Sequence, residues 1–123
     1  EAVLGAKDDV GGYTALHWAA RRGHEAAVRE LLDVAVAQGL GEAVLGAKTD
    51  KGSSALHISA LNGHEAILKA VLDAAAQVGH KDAILKAQNN DGKTALEVAE
   101  EKETEANGEE RTQYQAIIQM LQA

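Results

Sequence analysis

The side chains of this 123-residue sequence that invite a chemical reading are five histidines and a scatter of hydroxyls and carboxylates. A shared metal ion or an acid–base pair needs at least two such groups to converge. His17 and His57 stand 40 residues apart, as do His24 and His64, and His80 has no counterpart. No His pair has zinc-like spacing, and cysteine is absent, which excludes disulfides and thiolate metal sites. Ser53, Ser54 and Ser59 lack the elbow motif of a nucleophile, and Asp33 and Asp73 repeat at helix positions, where they read as solvated or capping groups. The glycines stand singly at helix ends and in turns, and Gly11-Gly12 also falls in a turn, so no phosphate-binding fingerprint is present. With no such constellation, the sequence is expected to be no enzyme and to hold neither metal nor cofactor.

What the histidines do share is a period. Thr14-Ala15-Leu16-His17 aligns with Ser54-Ala55-Leu56-His57 and with Thr94-Ala95-Leu96-Glu97, each step being 40 residues. Gly12, Gly52 and Gly92 keep that step, and Gly23-His24-Glu25-Ala26 returns as Gly63-His64-Glu65-Ala66. The heptapeptide Glu1 to Lys7 reappears unchanged as Glu42 to Lys48, displaced by 41, so the first turn, Asp8 to Gly12, carries one extra residue. Within each unit, Thr14, Ser54 and Thr94 sit where a hydroxyl N-cap is expected. A short helix follows to Arg22 or Asn62, and Gly23 or Gly63 stops it. A second helix begins near His24 or His64. Its apolar stripe is Val28, Leu31, Leu32 and Ala35 in one unit, and Leu68, Val71, Leu72 and Ala75 in the next. Gly39-Leu40-Gly41 and Gly79-His80 break it, a short helical piece follows (Glu42 to Ala47 or Asp82 to Ala87), and a polar turn closes the unit. One such hairpin cannot bury its own apolar face, whereas stacked hairpins form a solenoid.

These residues resemble the ankyrin repeat. Gly12-Tyr13-Thr14-Ala15-Leu16-His17-Trp18-Ala19-Ala20, then Gly23-His24, Val28 and Leu31-Leu32 carry the resemblance, and Gly52 to Ala60 with Gly63-His64 repeat it. Three features depart from the pattern. Family units run about 33 residues, whereas these run 40, which predicts an extended second helix or an extra short one. The usual proline is replaced by Ala15, Ala55 and Ala95, and the third unit is degenerate, with Glu97 for His and Glu100 for Ala. The resemblance implies an all-α helix–turn–helix solenoid. Residues 1–7 read as the remnant of a preceding repeat, 8–48 and 49–88 as full repeats, and 89–123 as a C-terminal cap. An acidic insert at about residues 102–110 is expected to be mobile. The resemblance further implies that His17 and His57 bond the turn backbone of their own or the next unit.

It also implies that a partner protein is gripped by the turn tips and by the exposed side of the first helices. The tips are Asp9, Val10, Tyr13, Asp50, Lys51, Ser53, Asn90, Asp91 and Lys93, and the helix residues are Trp18, Arg21, Arg22, Ile58, Leu61, Asn62 and Val98. These positions vary between units while the framework does not. Trp, Tyr and Arg most often dominate binding energy. Trp18, Ile58 and Leu61 are therefore expected to form an exposed apolar strip beside Tyr13 and the two arginines, although Trp18 packed between repeats is the competing placement.

Composition narrows the partner. The net charge is −7, and the segment Glu97 to Arg111 holds seven Glu against Lys102 and Arg111. With no basic stripe, nucleic acid is not expected as a partner, and no stretch is apolar for long enough to span a bilayer. The absence of a signal-peptide pattern and of cysteine fits an intracellular, cytoplasmic location. The sequence opens on Glu1 rather than Met and is read as a fragment, so self-association through a bared N-terminal face is also expected. The leading expectation is a protein–protein interaction module. The alternatives are a structural spacer or regulatory segment of a larger multidomain protein, or an engineered repeat scaffold.

Overall fold

Each hairpin is set at its start by a hydroxyl residue. In the computed structural model, which describes residues 6–122, Thr14, Ser54 and Thr94 each cap a helix: α1 (Ala15–Arg22), α4 (Ala55–Leu61) and α7 (Ala95–Glu105). In all three, the cap oxygen accepts from the third helical amide, and the side chain of that third residue reaches back to the cap N–H. This reciprocal arrangement satisfies two amides that a helix start otherwise leaves unpaired. Glycine ends α1 in the left-handed conformation at Gly23, and α2 (Glu25–Ala37) returns antiparallel beside it. α5 (Glu65–Gln77) and α8 (Gly108–Gln122) play the same part in the later units.

The additional residues of each unit form a separate short helix, α3 (Gly41–Gly46) after α2 and α6 (Lys81–Lys86) after α5. Gly39 and Gly79, at φ 75° and 72°, separate each from the helix before it. Of the two expectations for the longer repeat, the extra helix is the one realised. The described residues contain no strand.

The hairpins stack in register. α1 packs on α4 and α4 on α7, while α2 packs on α5 and α5 on α8. The core lies between these two layers. Leu16 and Leu56 are buried at corresponding positions, and Leu96 is half-buried against the same cluster. Being central, α4 is covered on both sides, and Ala55 through Ala60 are all buried. Its small residues permit that close approach, and the Ser59 hydroxyl donates back to the carbonyls of Ala55 and Leu56, so among the described residues no buried side-chain oxygen or nitrogen is left over. In α2, Leu32 rather than Leu31 holds the central place, Leu31 being only half-buried. In α5, by contrast, Leu68, Val71, Leu72 and Ala75 are all buried, because neighbours cover both sides.

The turns are stapled to each other by main-chain bonds. Asp50 N–H donates to Gly11 at 2.8 Å, and Asn90 N–H donates to Lys51 at 3.0 Å. The first turn closes between Asp8 and Tyr13 and the later ones between Thr49 and Ser53 and between Asn89 and Lys93, which accommodates the one additional residue. Gly52 has φ 77°, and a Cβ there would stand 2.8 Å from the backbone nitrogen of Asn90; Gly92 has φ 75° with open space around it. Gly92→Ala therefore meets backbone strain alone, about 1–2 kcal/mol, whereas Gly52→Ala must also push the next turn away. Urea titration is expected to show the Gly52 variant as the less stable of the two by at least about 1 kcal/mol. Equal midpoints would show that the turns are not in close contact.

The acidic stretch is ordered where mobility was expected. α7 runs to Glu105 and α8 begins at Gly108, leaving Ala106 and Asn107 as the connection, with Ala106 buried. Glu103 accepts from Arg111 at 3.1 Å and from Gln115 at 3.2 Å, and these bonds, Arg111 first, hold its carboxyl below the ordinary range. The glutamates extend the helices instead of interrupting them, because Glu is a good helix former and most of these side chains face water. The heptapeptide Glu1 to Lys7 falls largely outside the described residues.

Candidate functional site

The two histidines of the 40-residue period are structural, and their geometry fixes their tautomer. Thr14 N–H donates to His17 Nδ1 at 2.9 Å, so the ring proton sits on Nε2, which donates to the Ala47 carbonyl at 3.0 Å. Ser54 N–H donates to His57 Nδ1 in the same way at 3.2 Å, while His57 Nε2 donates to the Lys93 carbonyl at 2.9 Å, six residues past the counterpart of Ala47. Each imidazole thus closes its own helix cap and ties it to the chain of the next turn. Both rings are buried, and that loss of solvation holds their pKa below the ordinary value despite the carbonyl bonds. Glu97 accepts from Thr94 N–H at 2.9 Å in the same cap and, unlike the histidines, reaches no later turn. His64 Nε2 donates to the Arg21 carbonyl at the end of α1, and the Tyr114 hydroxyl does the same for Leu61 at the end of α4, at 2.8 Å. Among the described residues no group of His, Asp and Glu is placed to hold a metal ion.

The face formed by the turns and the first helices of the hairpins carries the remaining chemistry. Tyr13 and Trp18 stack with ring centroids 4.7 Å apart. The Arg21 guanidinium lies 5.7 Å from the Tyr13 ring and 5.5 Å from the Trp18 ring, and that of Arg22 lies 4.9 Å from Trp18. Trp18 is half-buried, and its indole N–H is held by Asp8. Burial pushes the Asp8 carboxyl up, but bonds from the Tyr13 amide, the Trp18 indole and the amides of Val10 and Gly12 outweigh it, so the group stays below its usual range. Asp8 therefore fixes the orientation of the stack as an acceptor with its oxygens occupied.

Beside the stack, between α1 and α4, lies an open hollow of about 390 Å³. Tyr13, Arg21, Lys51, Ser53, Ile58, Leu61 and Asn62 line it together with Val10 and Thr49. A second hollow of about 190 Å³ shares Lys51, Ser53 and Leu61 and adds Asp91, Lys93 and Val98. Lys93 is already bound to Glu101 there. Of the proposed contact residues, Val10, Tyr13, Arg21, Lys51, Ser53, Ile58, Leu61, Asn62, Asp91, Lys93 and Val98 line one or other hollow, Trp18 adjoins Arg21, and Arg22 adjoins Trp18; Asp9, Asp50 and Asn90 line neither. The expected apolar strip is corrected in part. Ile58 is 3% exposed and Val98 8%, because α4 is covered by hairpins on both sides and α7 packs on α4 and α8, so they form floors and not a raised surface. Leu61, at 47%, and Val10, at 72%, are the apolar side chains that do face out. Asp8 was missing from the sequence-based set. Its turn position was visible, but its contact with Trp18 depends on the turn folding back over α1.

Comparison with known proteins agrees with this architecture. The family model described as ankyrin repeats (3 copies) matches residues 2–82. No match was found among curated proteins. Among solved structures, the chain is similar to one in the crystal structure of the yeast ribosomal protein Rps3 in complex with its chaperone Yar1. The TM-score is 0.69 at 27% identity, over 90% of this chain and 71% of that one. The capped hairpins, their stacked turns and the family match over most of the chain together place this protein in the ankyrin repeat family.

Proposed function

We propose that this chain binds a partner protein through its concave face, using the hollow between α1 and α4 and the aromatic–arginine stack beside it. Ankyrin repeats are protein-interaction modules, and the solved structure that this chain resembles contains a chaperone in complex with a ribosomal protein. The observation that carries the reading is the stack itself. Two aromatic rings and two guanidinium groups are held together at the surface next to an exposed leucine. Such residues most often dominate binding energy, and the two rings offer large area with few torsions to freeze.

Leu61→Glu and Trp18→Ala are expected to lose the proteins that the unaltered chain retrieves from a lysate, with little change in melting temperature. Lys86→Ala on α6, away from the hollow, is expected to retrieve them normally. Retrieval of the same set by Leu61→Glu refutes the assignment, and a core-like fall in melting temperature for Trp18→Ala makes that residue structural. A chain acting only as a spacer retrieves nothing specific.

A further inference from the structure

Accepting the concave face as the docking site, we propose that its occupant is an acidic peptide segment. Its carboxylates engage the edges of Arg21 and Arg22, and an apolar side chain seats against Ile58 and Leu61.

The arginines make the case. The chain has four. Arg29 is paired with Glu25 at 2.9 Å and Arg111 with Glu103 at 3.1 Å. Arg21 and Arg22 are treated differently. Among the described residues neither donates a side-chain hydrogen bond nor pairs with a carboxylate; both lie over aromatic rings instead. A guanidinium held over a ring spends no N–H on a carboxylate, and its fork of donors matches one. The rings also restrain the arginines, so less side-chain entropy is lost when an anion arrives.

The hollow beside them has the same sign. Its lining includes Arg21 and Lys51 and no carboxylate, in a chain of net charge −7. Asp8 makes no bond to either guanidinium group; its oxygens accept from Val10, Tyr13 and Trp18 instead. Asp9 and Asp50 share the turn tips but stand outside the lining. The second hollow provides an internal contrast, since Asp91 and Glu101 line it and Lys93 is spent on Glu101. A cationic floor edge with an apolar seat of modest volume fits a short acidic-apolar segment better than a basic one.

The test is selection from a random peptide library on the unaltered chain, on Arg21→Gln/Arg22→Gln and on Leu61→Glu. Affinities are then read from the emission of Trp18, the sole tryptophan. Selected peptides are expected to carry Asp or Glu next to a Leu, Ile or Phe. Changing those acids to their amides, or using the double arginine variant, is expected to weaken binding about tenfold or more. Added salt should weaken it more in the unaltered chain than in the double variant, which keeps Lys51 alone. Peptides without acidic bias that still lose binding in Leu61→Glu overturn the acidic chemistry and leave the docking face standing. Peptides indifferent to both variants, or no selected peptides at all, overturn both. Self-association that the double variant abolishes assigns the face to a second copy and likewise overturns the proposal.

Discussion

Leu56→Ala is expected to remove about 3–5 kcal/mol of stability, a large fraction of what holds a domain folded. Leu56 is fully buried in α4, which touches α1 on one side and α7 on the other as well as α5 of its own hairpin. In a solenoid, stability is close to a sum of terms within each repeat and terms between neighbours. A cavity in the central hairpin therefore weakens both junctions, and rigid helices on either side cannot collapse to fill it. Leu96→Ala is the matched control. It removes the corresponding side chain from the last hairpin, where the residue is only half-buried and has a neighbour on one side. It is expected to cost about half as much. Denaturant titrations followed by far-UV circular dichroism make the comparison, provided the slope is unchanged between variants. Equal losses would mean that the three hairpins do not share one interior.

The second large effect is a loss of stability on mild acidification, driven by His17 and His57. Each is buried as a neutral ring with one nitrogen accepting and the other donating. Protonation places a second N–H against the cap amide of Thr14 or Ser54 and a charge where water does not reach. Burial lowers the pKa in the folded state below the ordinary 6.5. The unfolded chain consequently takes up these protons first as pH falls. The stability that they confer is complete above 6.5 and declines as pH drops from there through the lowered folded values. Within that window each ring contributes a slope of up to about 1.4 kcal/mol per pH unit. Lys7 near His17 and Lys48 near His57 push in the same direction. Unfolding free energies measured from about pH 8 to about pH 5 should trace this decline. His17→Gln/His57→Gln is expected to be less stable at the alkaline end, because the bonds to Ala47 and Lys93 are weakened, and nearly flat across the window. A steep decline that persists in the double variant would shift responsibility to the carboxylates. Glu97 already shows that a side-chain oxygen can close the same cap.

The sequence by itself determined the local structure of this protein. Hydroxyl caps, glycine stops and a 40-residue period reveal hairpins and their stacking, because each signal acts within a few residues of where it is written. The extra short helix was legible as one of two outcomes, its boundaries displaced by a single residue. Contacts between hairpins were not legible. That Ile58 and Val98 sink into floors while Leu61 stays out depends on which side of each helix its neighbours cover. The order of the Glu-rich stretch depends on Arg111 and Gln115 meeting Glu103, and on Tyr114 reaching back to Leu61. The same is true of the stack of Tyr13, Trp18, Arg21 and Arg22, whose rings are aimed by Asp8 from a turn that folds over α1. Composition could name those side chains as potential contacts. Only the packing of turn on helix decided that two arginines lie over aromatic rings with no carboxylate partner, because orientation is set by neighbours distant in the chain.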